Sequence, residues 1–299
     1  MQRAASLDRD HHAAPFVAVL VGIALFSVMD GLMKAASLAV GAYSAMLFRS
    51  LIGIAITFPL WTWRGGRIPD RSALKLHALR GANSAAMATS FFWGVVHLPL
   101  AEAIALSFIA PLIALYLAAV MLGEKIARGT ILASILGFSG VLVIAAARIG
   151  GPSQSEMAGW GIASVLFSAV LYAFNLILQR KQALLAGPVE VALFQTVFVT
   201  LFLGLFAPWL AVWPDAVAFG YIGGGAVLAM ISLMVISWGY GRAEAQALLP
   251  IEYTAFIWAA LIGWAMFAEP VTVPTLAGAV LIVAGCLIAA RKSTEQTAL

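Results

Sequence analysis

The chain has 299 residues, of which 63% are hydrophobic and only 10% charged, with a mean hydropathy of +1.01; a soluble surface, normally about a quarter charged, is excluded. The formal charge of +4 does not point to nucleic acid, because the basic residues are spread between apolar runs and form no block. The single cysteine, Cys286, lies in an apolar stretch, which excludes a disulfide framework or a thiolate metal site and reads as inert core.

Residues 1–14 are charged and polar, and the apolar run after them lacks a convincing cleavage site, so a cytoplasmic tail is expected there and no removable signal peptide. A membrane crossing needs roughly 20 apolar residues. Ten such runs follow, over 15–36, 42–63, 74–97, 101–122, 129–148, 158–179, 189–211, 216–240, 245–267 and 272–290, before a short tail at 292–299. The connections are short, with no soluble domain and no phosphate-binding loop between them. With the N-terminus in the cytoplasm, 14 of the 17 Lys and Arg residues fall at inner ends, and only Lys34, Arg49 and Arg148 fall outside. This bias predicts that both termini are cytoplasmic.

Two long stretches share one plan. AEAIALSFIAPLIALYLAAVMLGEKI continues through GFSGVLVIAAAR (101–148), and AEAQALLPIEYTAFIWAALIGWAMFAEP continues to a helix ending in AAR (243–291). Glu124 falls on Glu269 and Gly140 on Gly285, and GIALFS (22–27) has an echo in ASVLFS (163–168). The expected architecture is all-α and polytopic, one membrane domain of two five-helix repeats over 15–149 and 150–291. An odd number of helices per repeat inverts the second copy, as in alternating-access transporters with a midplane site between the repeats.

The Ala-Glu-Ala entry, IAPLIALYLAAVMLGEKI, GFSGVLVI and FRSLIGIAI in the second span resemble the EamA family of the drug/metabolite transporter (DMT) superfamily, from Pro15 to Arg291. Within it the chain is most similar overall to YddG-type exporters of aromatic and other amino acids. The resemblance implies ten helices in two inverted repeats, a central cavity and efflux from the cytoplasm across a bacterial-type inner membrane.

Periodicity selects the cavity candidates. Asn83, Met87, Ser90, Gly94 and His97 form a polar or small stripe on the third span; Tyr172, Asn175 and Gln179 share a face of the sixth, and Ser232, Ile236 and Tyr240 one of the eighth. Such residues also serve simply to bond a neighbouring helix. Pro111 and Pro250 would kink their helices and free the carbonyls of Ser107 and Gln246, either toward a solute or toward a compensating hydroxyl. Glu252 lies about 10 Å into the ninth span at 1.5 Å per residue, beside Tyr253 and below Trp258. A buried acid costs about 2.5–3.5 kcal/mol even on lenient scales. It would pair with a substrate amine, take up a proton, or bond structurally to a group such as Arg80. Trp93, Tyr172, Tyr253 and Trp258 offer apolar contact. Asp30, Lys34 and Arg49 form a possible outer charge cluster, with Asp30 able to pair with either base. Glu124 and Glu269 at matching helix ends, and Glu102 at a helix start, need only capping roles.

Enzyme chemistry has no support: the four histidines make no metal-ligand spacing and no catalytic triad can be picked out, so no cofactor and no metal are expected. Three readings remain: a secondary exporter of amino acids; a transporter of another small solute such as a cationic drug, nucleoside or vitamin; and an intramembrane enzyme or scaffold, against which the inverted repeat argues. The expected partners are a small-molecule substrate and the lipid bilayer. Gly137, Gly140, Gly278 and Gly285 permit close helix packing within a monomer or a homodimer.

Overall fold

The computed structural model describes residues 2–122, 128–150, 157–183, 185–242, 248 and 251–297, and these contain no strand. The helices are α1 (Gln2–Trp63), α2 (Arg71–His97), α3 (Leu100–Ser107), α4 (Ala110–Leu122), α5 (Arg128–Gly150), α6 (Ala158–Ala183), α7 (Pro188–Gly204), α8 (Ala207–Leu210), α9 (Ala216–Tyr240), α10 (Ala255–Phe267) and α11 (Val273–Thr297). Among the described residues helices lie along the expected apolar runs, some of them broken. Among the described residues three helical stretches, Ala14–Trp63, Ala158–Gln179 and Ala216–Tyr240, are long and apolar enough to cross a membrane.

α1 is two spans in one run. Its apolar part of 50 residues would measure about 75 Å at 1.5 Å per residue, against a hydrocarbon core about 30 Å thick. Gly41 divides it, with φ 79 and ψ 151, a backbone region open to glycine and to few other residues.

Packing follows a pseudo-two-fold pattern. α2 runs antiparallel to α6, and the first segment of α1 runs antiparallel to α9 in the same manner. A Cβ on Gly94 of α2 would stand 2.5 Å from Val165 Cγ2 and 2.8 Å from the Gly161 carbonyl; one on Gly239 of α9 would stand 2.5 Å from Val19 Cγ2 and 2.9 Å from the Pro15 carbonyl. Only glycine lets the backbones approach this closely. Likewise α4 packs on α6 as α10 packs on α1, while α5 meets α11, and segment 42–63 of α1 meets α7, across the axis. Gly140 and Gly278 face each other's carbonyls in the α5–α11 contact, so these glycines serve packing within one chain. Val165 therefore corresponds to Val19, which places Ser168 on Gly22 and shifts the GIALFS/ASVLFS echo by more than one turn. The match of Glu124 with Glu269, the Pro250 kink and the Gln246 carbonyl fall on residues outside those described.

α10 packs on α3, the half of the fourth span nearest Lys34; the segment that would make the mirror contact on α4 lies largely outside the described residues. The bundle is closed at the Lys34 end.

Candidate functional site

Two helices break at corresponding points. Between α3 and α4, Phe108 and Ile109 leave the helix, with Phe108 N–H and Ile109 N–H bonded to the Ala105 and Leu106 carbonyls at 3.2 and 3.3 Å. Ahead of α10, Tyr253 and Thr254 do the same, and the Phe256 and Ile257 N–H groups reach back to Tyr253 and Thr254 at 3.2 and 2.9 Å. The two breaks meet: the Phe108 and Tyr253 rings pack edge to face with centroids 5.2 Å apart. A carbonyl freed by such a break must find a partner in a membrane. That of Phe108 accepts the Cys286 S–H at 3.1 Å, and the Tyr253 hydroxyl contacts the same thiol. Cys286, read from sequence as inert, thus closes the junction of the broken helices.

Glu252 stands one residue before this junction. Its carboxylate accepts the Tyr240 hydroxyl of α9, and Tyr172 of α6 lies within its electrostatic reach. Arg80, a sequence-level partner for Glu252, is not in contact with it. Glu252 is exposed and Tyr172 is 42% exposed, although both stand between α6, α9 and the approach to α10. Both side chains are therefore accessible. Tyr172, distant in sequence, is brought to the neighbours Glu252 and Tyr253 here, and Tyr240 joins them. Trp258 is directed toward the Val19, Ile23 and Leu248 cluster, with its indole N–H buried and without a hydrogen-bond partner among the described residues.

Other candidates lie elsewhere. The α2 stripe forms the seam with α6: Asn83 donates to the Leu171 carbonyl at 3.0 Å, and Ser168 and Ser164 donate to the carbonyls of Met87 and Ser90, each at 2.8 Å. Asn175 accepts from Arg80 Nε at 3.1 Å and from Ser84 at 3.3 Å. Arg80 also donates to Gln182, which bonds His77, and His77 in turn meets Glu190 at 3.3 Å. Ser232 is fully buried in the α1–α9 seam and donates to its own helix, to the Leu228 carbonyl at 2.6 Å. Ser107 likewise donates to the Ala103 carbonyl at 2.8 Å. At the end of α2, His97 Nδ1–H bonds the Trp93 carbonyl at 2.8 Å and the two rings lie 4.3 Å apart. Pro111 sits in the first turn of α4, where its missing N–H costs little.

The Asp30, Lys34 and Arg49 group resolves differently from the expected cluster. Lys34 pairs with Glu269 and donates to the Leu98 carbonyl at 2.7 Å. Glu269 also caps α3 through the Leu100 N–H at 2.8 Å. Nearby, Glu102 accepts Thr275 at 3.1 Å and pairs with Arg148 at 3.6 Å. Asp30 is left facing the charge of Arg49, whose guanidinium contacts Met29 Sδ at 3.6 Å. The closed end of the bundle is therefore a charged latch joining α1, α3, α5, α10 and α11.

A separate crevice of about 450 Å³ opens between segment 42–63, α2 and α7, lined by Tyr43, Ala82, Ala86, Thr89 and Phe206 among others. It presents no charged side chain.

The model of the EamA-like transporter family matches this chain twice, over residues 14–146 and 159–291, the two symmetry-related halves. The chain belongs to the EamA-like transporter family. EamA members are DMT proteins, and the all-helical, twice-repeated fold described above is theirs. Over 273 residues the chain is 26% identical to the pseudopaline exporter of Pseudomonas aeruginosa, covering 89% of this chain and 92% of that protein. It is 24% identical over 262 residues to a riboflavin transporter of Brucella anthropi, covering 83% and 88%. Over 187 residues it is 32% identical to a probable terminal-alkyne amino-acid exporter of Streptantibioticus cattleyicolor, covering 60% of each. A solved crystal structure shares the fold, with a TM-score of 0.62 over 94% of this chain and 99% of the other at 20% identity. As an EamA protein the chain is an integral membrane transporter of a small solute.

Proposed function

We propose that this EamA transporter exports amino acids, aromatic ones included, and related metabolites from the cytoplasm by alternating access. The chain crosses a bacterial-type inner membrane ten times with both termini inside, which places the Lys34 latch on the outer face and Glu252 toward the cytoplasm. The observation that carries the reading is the meeting of two symmetry-related broken helices at Phe108 and Tyr253, one residue from an accessible acid. Discontinuous helices at a repeat interface are where secondary transporters hold their solutes. Transport then proceeds as α10 parts from α3 and the latch opens, while the mirrored contact closes the cytoplasmic side. The relatives named as exporters of pseudopaline and of an amino acid favour this direction and solute class.

The test is release of preloaded amino acids from liposomes containing the purified protein. Release above that from empty liposomes, weakened by Glu252→Gln, supports the exporter; a protein that moves riboflavin and no amino acid sinks it in favour of another DMT solute.

A further inference from the structure

Four polar residues of the first segment of α1, Ser27, Asp30, Lys34 and Ser37, are buried, at 2%, 5%, 2% and 2% exposure, and recur at helical spacing. They share one face of the helix. That face lies between the side that meets α9 through Gly22 and Met33 and the side that meets α10 through Gly31, whereas Val17 and Val21 on the opposite face are exposed. The polar face therefore looks into the bundle. Lys34 is paired with Glu269. Asp30 stands four residues further from the latch, about 6 Å at 1.5 Å per residue, and is not paired in this way. Among the described residues Arg49 is the one charge that acts on Asp30, and Asp30 the one that acts on Arg49, yet the two groups form neither an ion-pair contact nor a hydrogen bond. Arg49, half-buried, sets five N–H donors against one weak acceptor, Met29 Sδ at 3.6 Å.

A carboxylate and a guanidinium removed from water are tolerated when they meet each other and fill their remaining hydrogen bonds. Asp30 and Arg49 do neither, although both lie in apolar spans, where an ionisable side chain points first to a solute path. The partner that completes them must bring both charges. We propose that Asp30 and Arg49 form a station for a zwitterion one turn inside the latch, with the solute ammonium on Asp30 and its carboxylate on Arg49. The solute class is amino acids with both charged ends free. The planar guanidinium holds a carboxylate through two parallel N–H bonds, and the Asp30 oxygens accept the ammonium protons. Filling the station adds no net charge to the bundle. A solute carrying only an amine or only a carboxylate satisfies one residue and leaves the other buried without a partner. Parting of Lys34 from Glu269 would then open the filled station to the outer face.

The inference rests on the amino-acid exporter reading, and binding measured apart from transport separates the two. The probes are phenylalanine, phenethylamine, which lacks the carboxylate, and 3-phenylpropionate, which lacks the amine. The rise of the unfolding midpoint of the full chain in detergent with solute concentration gives each apparent Kd. Phenylalanine is expected to bind about tenfold or more tightly than either relative, the scale of one charged contact. Arg49→Gln should weaken phenylalanine about tenfold and leave phenethylamine unchanged, while Asp30→Asn should weaken phenylalanine as much and leave 3-phenylpropionate unchanged. A merely structural pair would not move these ratios. Arg49→Lys, which keeps the charge and loses the fork, should change the selectivity in the same direction and serves if Arg49→Gln does not elute as a monodisperse species. Equal weakening of all three solutes, unchanged phenylalanine binding in both variants, or equal wild-type binding of the three overturns the station and makes the pair a clamp. Release of preloaded phenylalanine from liposomes reports on export by itself. Release without the expected binding pattern leaves export standing and overturns the station; the pattern without release supports the station and removes export. Neither binding nor release overturns both.

Discussion

Lys34 and Glu269 are 235 residues apart in sequence and form one ion pair, with Lys34 buried and Glu269 half-buried. Neither charge stands alone, since the Leu98 carbonyl and the Leu100 N–H complete their hydrogen bonds. Removing one partner leaves the other buried and unpaired, so Glu269→Gln is expected to destabilise the protein by about 2–4 kcal/mol. Lys34→Met combined with Glu269→Leu should recover part of that loss, and thermal unfolding in detergent of the wild type, the single variants and the double variant measures the coupling. Seam hydroxyls should matter far less. Ser164→Ala and Ser168→Ala each remove one bond between helices and should cost about 0.6 kcal/mol. Glu252 was legible in the sequence because an acid is costly in an apolar helix. Tyr240 was harder to recognise, since a tyrosine at a helix end also suits an interfacial anchor, and the partner of Lys34 was invisible because a base four residues after an acid suggests a local pair.

At the scale of helices, the α2–α6 and α1–α9 seams depend on glycines at matching places. Gly94→Val and Gly239→Val should each cost about 1–3 kcal/mol, because the new methyls meet backbone carbonyls and Val165 or Val19. Gly204 and Gly220 have nothing within 4 Å of an added Cβ. Alanine there should be neutral or stabilise by about 0.5–1 kcal/mol, as helix propensity favours it. Unfolding midpoints across the four variants check the contrast. The spans themselves were readable from runs of apolar residues, including the division of α1 near Gly41. The role of the α2 stripe was not. Asn83 and Gly94 produce the same periodicity whether a face borders a cavity or another helix, and the deciding donors, Ser164 and Ser168, lie on α6. The helix breaks were traceable only in part: Pro111 marks one, while the other falls at Tyr253 and Thr254, neither of which is a helix breaker.

For the molecule as a whole, the α3–α10 contact and the Lys34–Glu269 pair close one end of the bundle. With the proposed orientation, Tyr172→Cys in a Cys286→Ser background should react with a membrane-impermeant thiol reagent from the cytoplasmic side, and Glu102→Cys from neither side while the latch is closed. Labelling of right-side-out and inside-out vesicles measures this; reaction of Tyr172→Cys from the outside alone would reverse the assigned topology. The interlocking of the repeats also has a consequence for biosynthesis. The face of α1 bearing Gly22 and Met33 packs on α9 around Gly225 and Ile236. At about 5–20 residues per second, synthesis of the intervening chain takes roughly 10–40 s. During that interval the newborn first helix must wait in lipid with its docking surface vacant, and the first half can reach its native packing only after most of the second has entered the membrane.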